Sequence, residues 1–409
     1  MKGTIKFVDR KSGQWGFLIP DDGKGDVHFR LADFLDEQPT PADDGGQVEF
    51  TLWEDSTSRH ATKAKLLSPS KSATFAKRQN LTPGESLSRW GFIPYNIPVA
   101  RGPKQYPSAF HLLAELALDE RWFFGKHPDS IRPFPILENY LQYTFFRLSK
   151  ENKVIEKGQW AVFNTGLVDK LYDPIFALFT RNDRSNPPWK FVDFCIPGKG
   201  PAGKKLTSEI APLPEAAKYF SSNFDMLLDT SQEIHVDYEH VIYDGVERDR
   251  FPIEFLSRHV PKGFAQKDPN SMTEGERVSY FQAYRQALEN DLQCTRAIKN
   301  RLEDAKTLAE KRTRWNFKTA IPQYYPKFDV LSLLLPLALV SDELVDIALI
   351  VTRNPSGSYQ GRTILPLAWA YKNARLVCRP DSDWLTTENI NGELAIEEDQ
   401  DETTDEDSK

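Results

Sequence analysis

The amino-acid sequence predicts a multidomain protein: a small all-β five-stranded barrel at the N-terminus, a larger α+β domain, and an acidic disordered tail. Three observations carry this. Five short alternating segments separated by turn residues fit within residues 1–68. From about 109 to 386, helical and strand periodicities mix without the regular βα alternation of a doubly wound sheet. From Glu388 to Lys409 there are ten Asp or Glu and one Lys, a density of like charge that resists folding. The predicted organisation is a barrel over 1–68, a linker or irregular arm over 69–108, the α+β domain over 109–386 and the tail over 387–409.

In the barrel, Gly3-Thr4-Ile5-Lys6-Phe7-Val8 alternates, and Gln14-Trp15-Gly16-Phe17-Leu18-Ile19 follows a Lys-Ser-Gly turn. Asp26-Val27-His28-Phe29-Arg30, Gln47-Val48-Glu49-Phe50-Thr51-Leu52 and Ala61-Thr62-Lys63-Ala64-Lys65-Leu66 complete the set. So many strands in so short a segment predict a closed or nearly closed barrel. Ser68-Pro69-Ser70-Lys71-Ser72 is a polar linker. The arm beyond it is expected to pack on the next domain, because Trp90, Phe92 and Tyr95 are costly to leave in water. Further along, Phe110 to Phe124 reads as a helix, and Trp160 to Val168 and Ile175 to Phe179 as strands. Glu276 to about Thr313 reads as one long helix. Asp346 to Val351 and Tyr359 to Leu365 read as a hairpin around Asn354-Pro355-Ser356-Gly357, and Leu367 to Val377 as a helix.

Composition excludes several classes. Of the 409 residues 40% are hydrophobic and 12% aromatic, enough apolar surface to offset the entropy of ordering, so a wholly disordered chain is excluded. Cys195, Cys294 and Cys378 are dispersed and form no CxxC pair, which argues against a disulfide scaffold or a thiolate zinc site. With no apolar leader after Met1-Lys2-Gly3-Thr4, a reducing, cytoplasmic location is expected. Val330 to Ser341, the most apolar stretch, ends at Asp342 and Glu343, far short of the ~20 residues that span a bilayer. The net charge of −7 is dominated by the tail at −9. The remainder holds 51 basic against 49 acidic groups, +2. The tail reads first as a solvated end, and second as a competitor for a basic groove.

Side chains alternate along a strand, so Trp15 and Phe17 share one face, and His28 and Arg30 share a face of the next strand. Phe7 lies on the strand before them, with Lys6, Lys11 and Lys24 close in sequence. Ile5, Leu18, Val27 and Phe29 supply the core on the opposite alternation, which leaves the rings outward. Rings on a sheet ringed by cations suit a single strand of nucleic acid, whose bases stack while cations follow the phosphates. Gly16 is expected to leave room for a base. These segments resemble a cold-shock domain over residues 1–67. Gly3-Thr4-Ile5-Lys6-Phe7 is similar to its opening strand, Gly13-Gln14-Trp15-Gly16-Phe17-Leu18 to its first ribonucleoprotein motif, and Asp26-Val27-His28-Phe29-Arg30-Leu31 to its second. The resemblance implies an oligonucleotide-binding (OB-fold) barrel holding single-stranded RNA or DNA with little sequence preference. His28 stands where that family usually has Phe, Arg30 where it has His, and Leu31 where it often has Phe, so base preference should differ. Trp15, Phe17 and His28 are expected to stack bases, Phe7 to support them, and Lys6, Lys11 and Arg30 to meet phosphate. Residues 1–67 carry 9 basic and 12 acidic groups, so affinity must rest on stacking and local cations.

In the larger domain, Phe163-Asn164-Thr165-Gly166-Leu167 reads as a polar turn between apolar strands. His235-Val236-Asp237-Tyr238-Glu239-His240 clusters imidazoles and carboxylates ahead of Arg248 and Arg250. The spacing fits a hydrogen-bonded histidine better than a metal set, and no His-Glu-x-x-His motif occurs. No metal is expected, and no cofactor is identified. There is no Gly-x-Ser-x-Gly elbow. Gly198 to Lys205 lacks the phosphate-loop pattern and reads as a basic loop. Lys311, Arg312, Arg314 and Lys318 form an acid-free cationic run, suited either to phosphate or to a helix C-terminus. Asn164-Thr165-Gly166, His240 with Arg250-Phe251-Pro252, Pro322-Gln323-Tyr324-Tyr325 and Ala370-Tyr371-Lys372-Asn373-Ala374-Arg375 together resemble domain of unknown function 3825, over about 109–386. That resemblance implies a boundary and an association with nucleic-acid-binding modules, but no reaction.

The leading expectation is an RNA-binding protein whose barrel captures single-stranded nucleic acid for a domain that recognises or processes RNA or a nucleotide. Two rivals stand beside it: a phosphodiesterase or other hydrolase acting on RNA ends or nucleotides, and a non-catalytic protein-binding adaptor. Candidate residues in the larger domain are His240 as acid or base, Arg250 as a phosphate clamp, and Asn164, Lys318, Tyr324, Tyr371, Asn373 and Arg375. Convergence in one pocket would favour chemistry or nucleotide recognition; scattering would favour the adaptor. No membrane partner is expected.

Overall fold

A computed structural model describes residues 1–8, 15–22, 25–35, 39, 46–54, 59–68, 82–182, 187–326, 329–388 and 390. Lys11, Lys24, the Lys-Ser-Gly turn, the linker over 69–81 and the acidic run beyond 390 lie outside the described residues.

At the N-terminus run β1 (Lys2–Val8), β2 (Trp15–Pro20), β3 (Val27–Arg30), β4 (Gln47–Glu54) and β5 (Arg59–Ser68). They pair in the closed order β1-β2-β3-β5-β4. The antiparallel β1–β4 ladder completes the ring, and β3 meets β5 in parallel at His28 and His60. Alternation, reset by irregularities in the register of β1 and of the β4–β5 ladder, turns Ile5, Val8, Leu18, Val27, Phe29, Val48, Phe50, Ala61 and Ala64 inward into a sealed core. Gly3 is placed where β1 meets both β2 and β4, and a Cβ there would come within 2.7 Å of the Ile19 carbonyl oxygen. Only glycine lets the strands approach so closely.

The following segments are α1 (Pro83–Trp90), β6 (Gly91–Phe92), β7 (Val99–Arg101), β8 (Lys104–Tyr106), α2 (Ala109–Leu116) and α3 (Pro135–Lys150). Then come β9 (Ile155–Lys157), β10 (Trp160–Val168), β11 (Pro174–Arg181), β12 (Trp189–Cys195), α4 (Gly200–Glu209), β13 (Ile234–Val236), α5 (Tyr238–Glu247) and α6 (Ile253–Ser257). The last are α7 (Glu274–Glu289), α8 (Leu292–Trp315), β14 (Ile321–Tyr325), β15 (Val330–Leu337), β16 (Ile347–Arg353), β17 (Tyr359–Pro366) and α9 (Leu367–Val377). Among the described residues no helix is long and apolar enough to cross a membrane.

The chain divides into two compact units, Met1–Pro94 with Phe145–Leu167 and Asp173–Ala217, and Tyr95–Thr144 with Val168–Tyr172 and Lys218–Lys409. Besides the barrel, the first unit contains the sheet β6-β12-β11-β10-β9. Thr82 caps α1 by accepting from the Glu85 N–H, with Glu85 reaching back to the cap. The helix thereby delivers Trp90 into a ring cluster with Phe145, Phe163, Phe179 and Trp189. The second unit is built on the sheet β13-β17-β16-β15-β14. The apolar stretch expected to be core is β15 with the residues after it. Leu333, Leu335, Leu337 and Leu339 join Val241, Phe255, Phe281, Leu288, Ile298 and Leu302 from the helices. Every residue of α9 from Ala368 to Leu376 is buried.

Four expectations need correction. The single helix over Glu276–Thr313 is two, because Asn290 ends α7 and Asp291 starts α8 by accepting from the Cys294 N–H. Short polar side chains that bond the backbone favour caps over helix interiors. The helix expected from Phe110 to Phe124 stops at Leu116, where the Leu118 N–H donates to the Val168 carbonyl instead. Asn164-Thr165-Gly166 does not separate two strands but lies inside β10. Asn164 accepts from the Gly166 N–H and Thr165 donates to the Ile175 carbonyl, so a local turn is absorbed into the ladder. Phe92, expected to be covered, is 42% exposed, although Trp90 is buried.

Candidate nucleic-acid interface

Register across the barrel creates a row that spacing along any one strand does not reveal. Phe7 stands opposite Phe17, Phe17 opposite His28, His28 opposite His60, and His60 opposite Trp53. The row therefore crosses β1, β2, β3, β5 and β4 in turn. Trp15 flanks it, opposite Arg30. Phe17 and His28 meet edge to face at 5.4 Å, His28 and His60 at 5.2 Å, and Trp53 and His60 are tilted at 5.8 Å. Trp15 lies nearly parallel to His28 at 6.0 Å. Trp15 is 36% exposed and Trp53 52%, and Phe17, His28 and His60 are half-buried. The inward alternation already fills the barrel, so these rings face out.

The two imidazoles interact directly, with Nδ1 to Nδ1 at 3.3 Å. One ring must carry the proton and the other accept it. Burial first, then the charges of His60 and Arg30, hold the His28 pKa below its ordinary value, while Asp33 opposes them. Trp53 and His60 were not singled out from the sequence. The available signal was parity: Val48 and Phe50 point inward on β4, so Trp53, an odd number of residues further on, points out.

Of the expected cations, Lys6 and Arg30 are among the described residues. Lys6 is ion-paired with Asp26. Arg30 is exposed at the end of β3, and its backbone N–H donates to Asp33. Gly16 is buried between outward Trp15 and Phe17, so its missing side chain faces the barrel interior and makes no room for a base. That corrects the expectation drawn from sequence proximity.

In the larger region most candidates have their own local partners. His240 is exposed in the first turn of α5, whose N-cap Asp237 accepts from the His240 N–H. No group of three or more His, Cys, Asp or Glu able to hold a metal converges among the described residues. Arg250 is buried, and it donates to Asp244 at 3.2 Å and to the Thr363 hydroxyl at 2.6 Å, so it is held inside rather than offered to phosphate. Asn164 is buried and bonded to backbone. Lys318 is exposed and ion-paired with Asp381. Tyr324 is buried against Tyr219 and donates to Asp329. Tyr371 packs on Phe124, and burial pushes its pKa up to about 12. Asn373 is buried, with its amide nitrogen lacking a hydrogen-bond partner among the described residues. Arg375 forms a two-pronged pair with Glu120 at 2.6 and 2.8 Å, enclosed by the Trp122 and Tyr140 rings at 4.9 and 4.5 Å. Arg250, Lys318, Tyr324 and Arg375 thus each meet a carboxylate of their own.

Together these features define a multidomain protein in which a five-stranded β module precedes a larger α+β region. The chain belongs to the family described as Domain of unknown function (DUF3825), whose profile matches residues 113–384. Comparison with curated proteins gives no match. Among solved structures, one described as "drosophila Unr CSD456" aligns over 49% of this chain at 12% identity, with a TM-score of 0.15. This chain covers 63% of that one, less than two thirds.

Proposed function

We propose that the barrel binds single-stranded nucleic acid by base stacking and that the chain acts as a nucleic-acid-binding protein. The observation that carries this reading is the outward row Phe17, His28, His60 and Trp53 in cross-strand register, flanked by Trp15. Neighbouring strands lie about 4.8 Å apart, so the row from Phe17 to Trp53 extends roughly 14 Å. That length accommodates a few unpaired bases. The barrel is acidic overall, and Lys6 is engaged by Asp26. Stacking, worth about 1–3 kcal/mol per base, therefore outweighs phosphate attraction in this site, and RNA and DNA should both bind. The resemblance of residues 1–67 to a cold-shock, OB-fold barrel supports the same reading. For the α+β region, the separate partners of His240, Arg250, Tyr324 and Arg375 support recognition or scaffolding over hydrolysis at these residues.

The test is titration of fluorescent oligouridylate and oligothymidylate with the full chain. Replacing both Trp15→Ala and Phe17→Ala is expected to weaken binding by about 2–5 kcal/mol if the two stacks add, with unfolding unchanged. Equal affinity in a folded double variant would refute the barrel's role.

A further inference from the structure

The acid-free run at the end of α8 carries a feature that helix electrostatics does not explain. Cations at a helix C-terminus are favoured by the macrodipole with or without a ligand. Bare rings are not. Trp315, the last residue of α8, is 90% exposed, and Phe317, two residues on, is 63% exposed. Neither makes a ring contact among the described residues. Asn316 between them accepts from the Lys318 N–H and starts a short 3-10 turn, which holds both rings on the surface.

The charges around the rings separate into two kinds. Arg312 is turned onto the Asp342 carbonyl, and Lys318 is paired with Asp381. Lys311 and Arg314 are exposed and form no ion pair among the described residues. Lys311 precedes Arg314 by three residues and Trp315 by four, so the three share one side of the helix. From Lys311 to Lys318 there is no Asp or Glu.

We propose that Trp315 and Phe317, with Lys311 and Arg314, form a second contact for single-stranded nucleic acid, within the α+β region. Planar faces next to unpaired cations match the two parts of an unpaired nucleotide, the base and the phosphate. An acidic peptide would satisfy the cations and leave the rings without a planar partner. The inference rests on the reading that this chain handles unpaired nucleic acid, but it uses none of the barrel's residues.

The experiment uses the full chain and a thiouridine-substituted oligouridylate long enough to reach beyond the barrel. Irradiation is expected to crosslink Trp315 or Phe317, with the adduct located by peptide mass spectrometry. Replacing both Trp315→Ala and Phe317→Ala is expected to lower affinity about thirtyfold or more if both stacks are lost. Replacing both Lys311→Ala and Arg314→Ala should reduce the slope of log affinity against log salt by about 1.4, as expected for two phosphates on a single strand. All four side chains are exposed, so the variants should fold. If the ring variant keeps full affinity and no adduct maps to 311–318 while the Trp15→Ala, Phe17→Ala chain loses binding, this contact is overturned and the barrel stands. If the barrel variant binds normally and the ring variant does not, the barrel reading falls and this contact stands. Capture of an acidic peptide by this surface, with no nucleic-acid adduct, would also overturn the proposal.

Discussion

Two sets of rings in the first unit have opposite fates. Around Trp90, the rings of Phe145, Phe163, Phe179 and Trp189 lie 4.8–6.1 Å away, and all five are buried. The indole nitrogen of Trp90 donates to Glu156 at 2.7 Å, so its one polar atom is satisfied. On the barrel, Trp15, Phe17, His28, His60 and Trp53 are spaced much alike, but Trp15 and Trp53 are exposed and the other three only half-buried. Residue type does not decide between these outcomes; what lies above the strand does. Helices α1 and α3 bring Trp90 and Phe145 onto the sheet. The barrel strands turn their aliphatic residues to the closed interior, and their second, ring-bearing face keeps Trp15 and Trp53 exposed. The proposed binding role rests on that exposed apolar face.

The contrast is broken most directly at Trp90. Trp90→Ala should destabilise the unit by about 3–5 kcal/mol, read from the urea midpoint, because it opens a cavity in a closed cluster. A shift under 1 kcal/mol (a value typical of exposed sites) would erase the distinction between the two ring sets. Trp53→Ala should do the reverse. We expect unfolding to be unchanged and single-strand affinity to fall by about 1–3 kcal/mol, measured by fluorescence anisotropy. Loss of stability without loss of affinity would make Trp53 a structural residue. The smallest effect concerns acid. His28 has a depressed pKa, so the unfolded chain binds more protons as pH falls below about 6.5. Its contribution to barrel stability is therefore complete above that value and is lost as pH falls toward the depressed one. Melting temperatures from about pH 7.5 to 5.5 should fall, and the His28→Gln chain should fall less. Identical slopes for the two chains would remove His28 as the source.

The barrel was legible because strand parity is a strictly local rule. Ile5, Leu18, Val27 and Phe29 point in, and Trp15 points out, as the period of two requires. His60 and Trp53 were not legible as site members, because their meeting with His28 depends on which strands become neighbours when the ring closes. The larger region shows the same limit more strongly. The hairpin of β16 and β17 and the helix α9 follow from local pattern. Arg250, expected to clamp phosphate, instead has Asp244 and Thr363 as partners, which local pattern does not reveal. A buried arginine and an exposed one have the same letter, and only tertiary partners separate them.

The Arg375–Glu120 pair has a consequence for synthesis. Its members are 255 residues apart, and ribosomes add about 5–20 residues per second. Glu120 therefore emerges from the ribosome about 13–50 s before its counter-ion does, with Trp122 and Tyr140 close to it in sequence. Throughout that interval the nascent chain displays an incomplete hydrophobic core, so the stretch 95–144 is where chaperone engagement or mistaken association should concentrate during translation.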